Sequence, residues 1–92
     1  MNKIIYTIDE IKEKSTLIFK RYPYVEKAYL FGSYARNEAT SKSDLDFYVI
    51  IQKNKTGMWV GELLVDLQEE FDKPIDLLTQ NEIKSLYIEH IK

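Results

Sequence analysis

The sequence predicts an α+β domain, a small mixed β-sheet packed with helices in the order α-β-α-β-α-β-α. Three observations carry this. Asp44 to Ile51 reads DLDFYVII, a β-branched and aromatic run in which every second residue is apolar. Trp59 to Phe71 has a helical period instead. Pro74-Ile75-Asp76-Leu77-Leu78 is a second short apolar run. A strand, a helix and a strand in succession make a plausible parallel crossover. The 92 residues suffice for a single domain, 1–92, with one modest core. No repeat, low-complexity segment or internal linker interrupts them.

Lys3 to Tyr6 shows no clear period. Thr7-Ile8-Asp9-Glu10 fits a capping box, with Thr7 as cap and Glu10 reaching back. The helix it opens runs to about Arg21 and stops before Pro23. Ile8, Ile11, Ile18 and Tyr22, with Ser15 between, follow helical spacing. Val25 to Phe31 (VEKAYLF) is the first strand. Gly32-Ser33 ends it, and Tyr34-Ala35-Arg36 reads as the first turn of a short helix capped by Ser33. Thr40, Ser41 and Ser43 form a loop that turns the chain back into Asp44. So short an excursion makes the two strands antiparallel neighbours and sets Ser33 beside Asp44. Asn54 to Gly57 is a loop. In the helix from Trp59 to Phe71, Val60, Leu63, Leu64, Leu67 and Phe71 form the apolar stripe, and Asp66, Glu69 and Glu70 the wet side. Thr79-Gln80-Asn81-Glu82 is another capping box. It opens a last helix with Ile83, Leu86, Tyr87 and Ile91 on its face.

Side chains alternate faces along a strand, so Leu45, Phe47, Val49 and Ile51 point at a core. Asp44 and Asp46 share the opposite face, with Cα atoms roughly 6.5 Å apart. Two like charges this close repel and raise one pKa, unless a cation binds between them. Oxygen ligands select hard cations, Mg²⁺ or Mn²⁺ rather than zinc. Asp76 is a third acid, inside an apolar strand where burial is costly without a partner or a metal. If its strand neighbours the first, three carboxylates converge, enough for two ions. The plainer reading of Asp76 is an edge-strand charge that discourages aggregation. Gly32 lets a ligand approach the backbone, and the helix start after it offers N–H groups to phosphate. Arg36 has two readings, a contact to triphosphate or a surface pair with Glu38. Tyr34, beside Ser33, is a candidate for lining the nucleotide site. The chain's one histidine, His90, offers no obvious catalytic imidazole.

Gly32-Ser33, ten residues, Asp44-Leu45-Asp46 and a later Asp76 on a strand resemble the nucleotidyltransferase superfamily of DNA polymerase beta. GSYAR at 32–36 and SDLD at 43–46 resemble its minimal nucleotidyltransferase branch. The likeness runs from about Val25 to Leu78. Asn37 departs from it, since the family commonly has glycine after the arginine. Asn tolerates a left-handed backbone, so the turn should survive. The resemblance implies the palm-like fold of that superfamily and an Mg²⁺-dependent enzyme, with Mn²⁺ as a substitute. It implies Asp44, Asp46 and Asp76 as catalytic metal ligands, and Gly32, Ser33 and Arg36 at the nucleotide. It implies ATP as donor of AMP, a HEPN-domain toxin as partner and a tyrosine hydroxyl of that toxin as acceptor, the chain being the antitoxin. Two further readings stay open. One is a contact-only module that silences its partner. The other is a small-molecule nucleotidyltransferase whose acceptor is held by a second subunit.

Composition limits the rest. The formal net charge of −2 argues against a dedicated nucleic-acid-binding surface. With no cysteine there is no disulfide, thiolate nucleophile or Cys-based zinc site, which fits a reducing cytoplasm. No apolar stretch approaches a membrane span, and no signal peptide is evident. Self-association is left open.

Overall fold

The computed structural model describes residues 5–55, 57–80 and 88–90. Helix α1 (Ile8–Phe19) begins with the expected box. Glu10 N–H donates to the Thr7 hydroxyl at 3.0 Å, and the Thr7 N–H donates to the Glu10 carboxylate at 2.8 Å. The helix ends at Phe19, but Lys20, Arg21 and Tyr22 still donate to carbonyls three or four residues back, which closes the chain down before Pro23. Then follow β1 (Val25–Phe31), α2 (Gly32–Ala35), β2 (Leu45–Ile51), α3 (Trp59–Phe71), β3 (Ile75–Thr79) and β4 (Ile88–His90).

The four strands lie in the order β3-β2-β1-β4. β1 is antiparallel to β2 and β4, and β2 is parallel to β3 through the α3 crossover. The sheet is therefore mixed, as the sequence predicts. The closing helix needs correction. Residues 88–90, expected inside that helix, pair with β1 as β4, while Thr79 is the last residue of β3 and its expected box partner Glu82 lies outside the described residues. Residues 81–87 and 91–92, which hold Ile83, Leu86, Tyr87 and Ile91, lie outside the described residues. Local periodicity does not register an unpaired strand edge, which recruits a distant segment through backbone groups alone.

The core lies between one face of the sheet and the helices. Leu45, Phe47 and Val49 have no exposed surface and Ile51 has 1%, so the alternation read from β2 is realised. Phe47 packs edge-on against Phe19 of α1 at 5.8 Å and, with rings tilted by 38°, against Phe71 of α3 at 6.2 Å. From α3, Leu63, Leu67 and Phe71 are buried and Val60 packs partly against them. Asp66, expected on the wet side, accepts a hydrogen bond from the Tyr22 hydroxyl and ties α3 to the end of α1. Burial and this carboxylate push the Tyr22 hydroxyl up to about 12. Tyr6 closes the far end of the layer, donating its hydroxyl to the Phe71 carbonyl at 2.9 Å and meeting the Phe71 ring edge-on at 5.2 Å. That carbonyl, at the last residue of α3, is among those a helix end leaves unpaired. Among the described residues no helix is long and apolar enough to cross a membrane.

Phe47 sits where the sheet meets both helices. Phe47→Ala should cost about 3–5 kcal/mol in urea denaturation, through lost burial and the cavity left behind. A loss under about 1 kcal/mol would show that the three-ring contact does not hold the layers together.

Candidate active site

β2 runs between β1 and β3, so each of its residues has a neighbour on both sides. Asp46 stands opposite Phe31 of β1 and opposite Asp76 of β3. The residue after Phe31 is Gly32, with φ +75°, in the left-handed region. A β-carbon there would lie 2.1 Å from Asp46 Oδ2 and 3.0 Å from its Cγ. Two separate constraints thus demand glycine, the backbone angle and the carboxylate seated against it.

Asp46 is half-buried, and its carboxyl is pushed from 3.8 up to about 6. Burial is the largest cause. The negative charges of Asp76 and Asp44 add to it, and the Arg36 guanidinium opposes them. Asp44 and Asp76 are both exposed. Asp44 stands one residue before β2 rather than within it, and Asp76 lies on β3 as the sequence predicts. Among the described residues no three acid or imidazole side chains stand close enough to hold one ion together. The acids are therefore gathered around Asp46 electrostatically without being closed on a point. In kind and charge they fit a hard divalent cation: the donors are all carboxylate oxygens, and their mutual repulsion is what such an ion relieves.

Ser33 is the second residue of α2, and the cap position belongs to Phe31, which has no side-chain cap bond. The capping role expected of Ser33 is therefore not made. Arg36 forms the surface pair of its two readings: its Nε donates to Glu38 Oε1 at 2.7 Å, with both side chains about half exposed or more. Asn37 adopts φ 60°, so the left-handed turn survives without glycine. Tyr34, a candidate for the nucleotide site, is instead a core residue with 2% exposure. A surface hollow of about 790 Å³ opens between Ile5–Asp9 and Ala35–Asn37. It contains none of the three acids, although Arg36 is among the residues that line it. The residue that sequence reading passed over is Lys73. It is buried at 4% exposure and donates to the Ser41 carbonyl at 2.9 Å. A lysine before Pro74 at a strand start reads as an exposed turn, so no local signal marks it.

The polymerase beta nucleotidyltransferase family model matches residues 13–92. Two candidate protein adenylyltransferases of Methanocaldococcus jannaschii are similar. One is 38% identical over 91% of this chain and 89% of its own length, the other 36% over 94% and 88%. The protein adenylyltransferase MntA of Aphanizomenon flos-aquae is 33% identical over 65% of this chain and 40% of its own. Among solved structures, a toxin–antitoxin complex with AMP-PNP superposes with a TM-score of 0.67 at 24% identity, covering 79% of this chain and 60% of that one. A tri-AMPylated Shewanella oneidensis HEPN toxin in complex with MNT antitoxin gives 0.58 at 23% identity, covering 79% and 56%. The chain thus spans less than two thirds of these solved chains, and the likeness to them is one of fold.

Two outcomes follow from this geometry. Gly32→Ala should cost about 1–3 kcal/mol and turn the Asp46 carboxyl aside, because the new β-carbon needs both its space and a strained backbone. The second concerns pH in the absence of divalent cations. The folded state holds the Asp46 proton more tightly than the unfolded chain, so stability falls as pH rises from about 4 to about 6. Asp46→Asn should remove that fall and exceed wild type above pH 6 by about 1 kcal/mol. The full shift corresponds to roughly 3 kcal/mol, reduced because the carboxyl is half open to solvent. Urea denaturation in chelator across this range measures it. Equal stability of the two proteins at pH 8 would show that Asp46 is not strained by its neighbours.

Proposed function

Because the chain belongs to the polymerase beta nucleotidyltransferase family, whose model covers residues 13–92, we propose that it transfers AMP from ATP to a hydroxyl of a partner protein. The partner proposed is a HEPN-domain toxin and the acceptor a tyrosine, the chain acting as antitoxin. One observation carries the reading: the half-buried Asp46 carboxyl lies against Gly32, with Asp76 opposite it in register. Charge and backbone access, the two requirements for handling a triphosphate, meet there at one end of the sheet.

Asp44 and Asp46 are the residues that would hold Mg²⁺ or Mn²⁺, with Asp76 completing the set. The bound cation supplies charge that neutralises the triphosphate and lowers the pKa of the acceptor hydroxyl. Gly32 exposes its backbone to the β and γ phosphates, and Ser33 offers a hydroxyl to them. Arg36 would have to leave Glu38 to reach the phosphates, an exchange of one exposed pair for another. Asp46 must be ionised to serve, which its raised pKa allows at neutral pH. In the reaction the acceptor oxygen bonds to the α phosphorus as the bond to the β-phosphate oxygen breaks. Pyrophosphate leaves, and the hydroxyl proton passes to solvent. Positioning and charge neutralisation supply most of the rate.

Support for a protein acceptor comes from the relatives named as adenylyltransferases, two of which share most of their length with this chain. Support for the toxin comes from the fold shared with toxin–antitoxin complexes, one of them holding a tri-AMPylated HEPN toxin.

The test is incubation of the chain with labelled ATP, Mg²⁺ and co-purified partner, with intact-mass detection of added AMP. The expected result is a gain of AMP on a partner tyrosine. Asp44→Ala with Asp46→Ala should lower transfer by on the order of 10³-fold or more with the fold intact. A double variant that protects cells from the partner as well as wild type would leave a contact-only antitoxin. Ser33→Ala should weaken nucleotide binding by roughly 1.5–3 kcal/mol without abolishing transfer, the value of one hydrogen bond to a charged group. Asp76→Asn should leave ATP binding nearly unchanged and cut the rate steeply. Equal losses of both in Asp76→Asn would reassign that residue to substrate binding.

A further inference from the structure

Among the described residues Lys73 is the only charged side chain that is buried. Burying an ammonium is costly, and an apolar side chain in such a place is often neutral or better for stability. Stability alone therefore does not account for a lysine here. Lys73 follows the left-handed Asp72 that ends α3 and comes two residues before β3. Its Nζ donates to the carbonyl of Ser41 at 2.9 Å, joining positions 32 residues apart.

Ser41 belongs to a small knot of polar contacts. Ser43 N–H donates to the Thr40 carbonyl at 3.0 Å, Thr40 N–H donates to the Ser43 hydroxyl at 2.8 Å, and Lys42 N–H donates to the Thr40 hydroxyl at 3.3 Å. This knot delivers Asp44. On its other side, Leu45 N–H donates to the Pro74 carbonyl at 3.1 Å. Two consecutive residues thus grip the chain before and after Asp44. Lys73 takes the Ser41 side and Pro74 the Leu45 side, and Asp76 follows on the same strand. Leu45 is further fixed by its burial and by pairing with Ile75. Asp44 itself is exposed and outside the strand. The Lys73 bond is what ties the Ser41 end of this short span to the segment that carries Asp76.

We propose that Lys73 is a positioning residue, which holds the 40–43 loop so that Asp44 is presented to the cation site beside Asp46 and Asp76. This rests on the reading of Asp44 as a metal ligand. Lys73 acts by geometry: the charges that bear on Asp46 are those of Asp76, Asp44 and Arg36. A methionine would keep the apolar stem and lose the donor. An arginine would keep both charge and donor.

The experiment uses the whole chain with Lys73→Met, Lys73→Arg, Asp44→Asn and the Lys73→Met/Asp44→Asn double variant. Amide hydrogen exchange is followed in the metal-free proteins, and Mn²⁺ binding by calorimetry. In Lys73→Met the Thr40 and Ser43 amides should exchange about tenfold faster or more, with Phe47 and Val49 unchanged. Its Mn²⁺ affinity should fall about tenfold, and Lys73→Arg should stay near wild type. The double variant should bind as weakly as Asp44→Asn and no weaker, since Lys73 acts through Asp44. Unchanged exchange at Thr40 and Ser43, or losses that add in the double variant, would overturn the proposal. So would a Lys73→Met chain that fails to fold while Lys73→Arg folds, because the lysine would then be structural. If wild type bound no Mn²⁺, the metal reading would fall and the positioning of Asp44 for a cation would fall with it. Faster exchange at Thr40 and Ser43 would then show the loop tie alone.

Discussion

Strand β2 is fixed in a single register by what its two faces require. Leu45, Phe47, Val49 and Ile51 fill the space under α1 and α3 with at most 1% of their surface exposed. A slip of one residue would drive Asp46 and Tyr48 into that core and turn three or four large apolar side chains outward. The same register sets Asp46 opposite Phe31, next to the glycine that makes room for it, and opposite Asp76. The core therefore aims the acids. β2 is flanked by a strand on each side, so neither neighbour can move independently of the site. Gln80 adds to this at the far end: its side-chain amide accepts from the Ile51 N–H at 3.1 Å and donates to the Ile51 carbonyl at 3.0 Å, in the manner of one more strand residue.

The charge gathered at the near end is a cost to the free protein. Asp46 is raised by burial and by two neighbouring carboxylates, with Arg36 the opposing charge, itself bonded to Glu38. A protein selected for stability alone has no reason to keep such a group against a glycine. Under the proposed function the arrangement gains a purpose, since repulsion among carboxylates is what a divalent cation relieves. Exposure of Asp44 and Asp76 fits this. They retain freedom to close on a ligand, while the half-buried Asp46 stays fixed by its strand.

Irregular segments take their shape from long-range contacts to the regular ones. Tyr6, before α1, satisfies a carbonyl at the end of α3. Lys73, after α3, satisfies a carbonyl in the loop before β2. In both cases one side chain supplies a hydrogen bond to a backbone oxygen far away in sequence. The Lys73 contact directly precedes the strand that carries Asp76, and neither contact adds to the sheet's ladder.

Much of this was legible in the sequence because it depends on local rules. The alternation in 44–51 gives β2 and its buried face. The Thr7–Glu10 box gives the start of α1, the stripe in 59–71 gives α3, and Asn37 is tolerated where a left-handed residue is needed. Each follows from the period of a strand or helix, or from the chemistry of one residue. Other features depended on surfaces that exist only once the chain has folded. Gly32 begins α2 two residues early, so Ser33 is not its cap. Tyr34 turns into the core, and Arg36 finds Glu38. Residues 88–90 become a strand because the edge of β1 offers them backbone partners. Lys73 is buried and finds the Ser41 carbonyl 32 residues away. The sequence by itself determined which acids face away from the core, since the alternation of a strand is local. Only the tertiary structure decided how far those acids converge and what holds their loops, since those depend on contacts between residues remote in the chain.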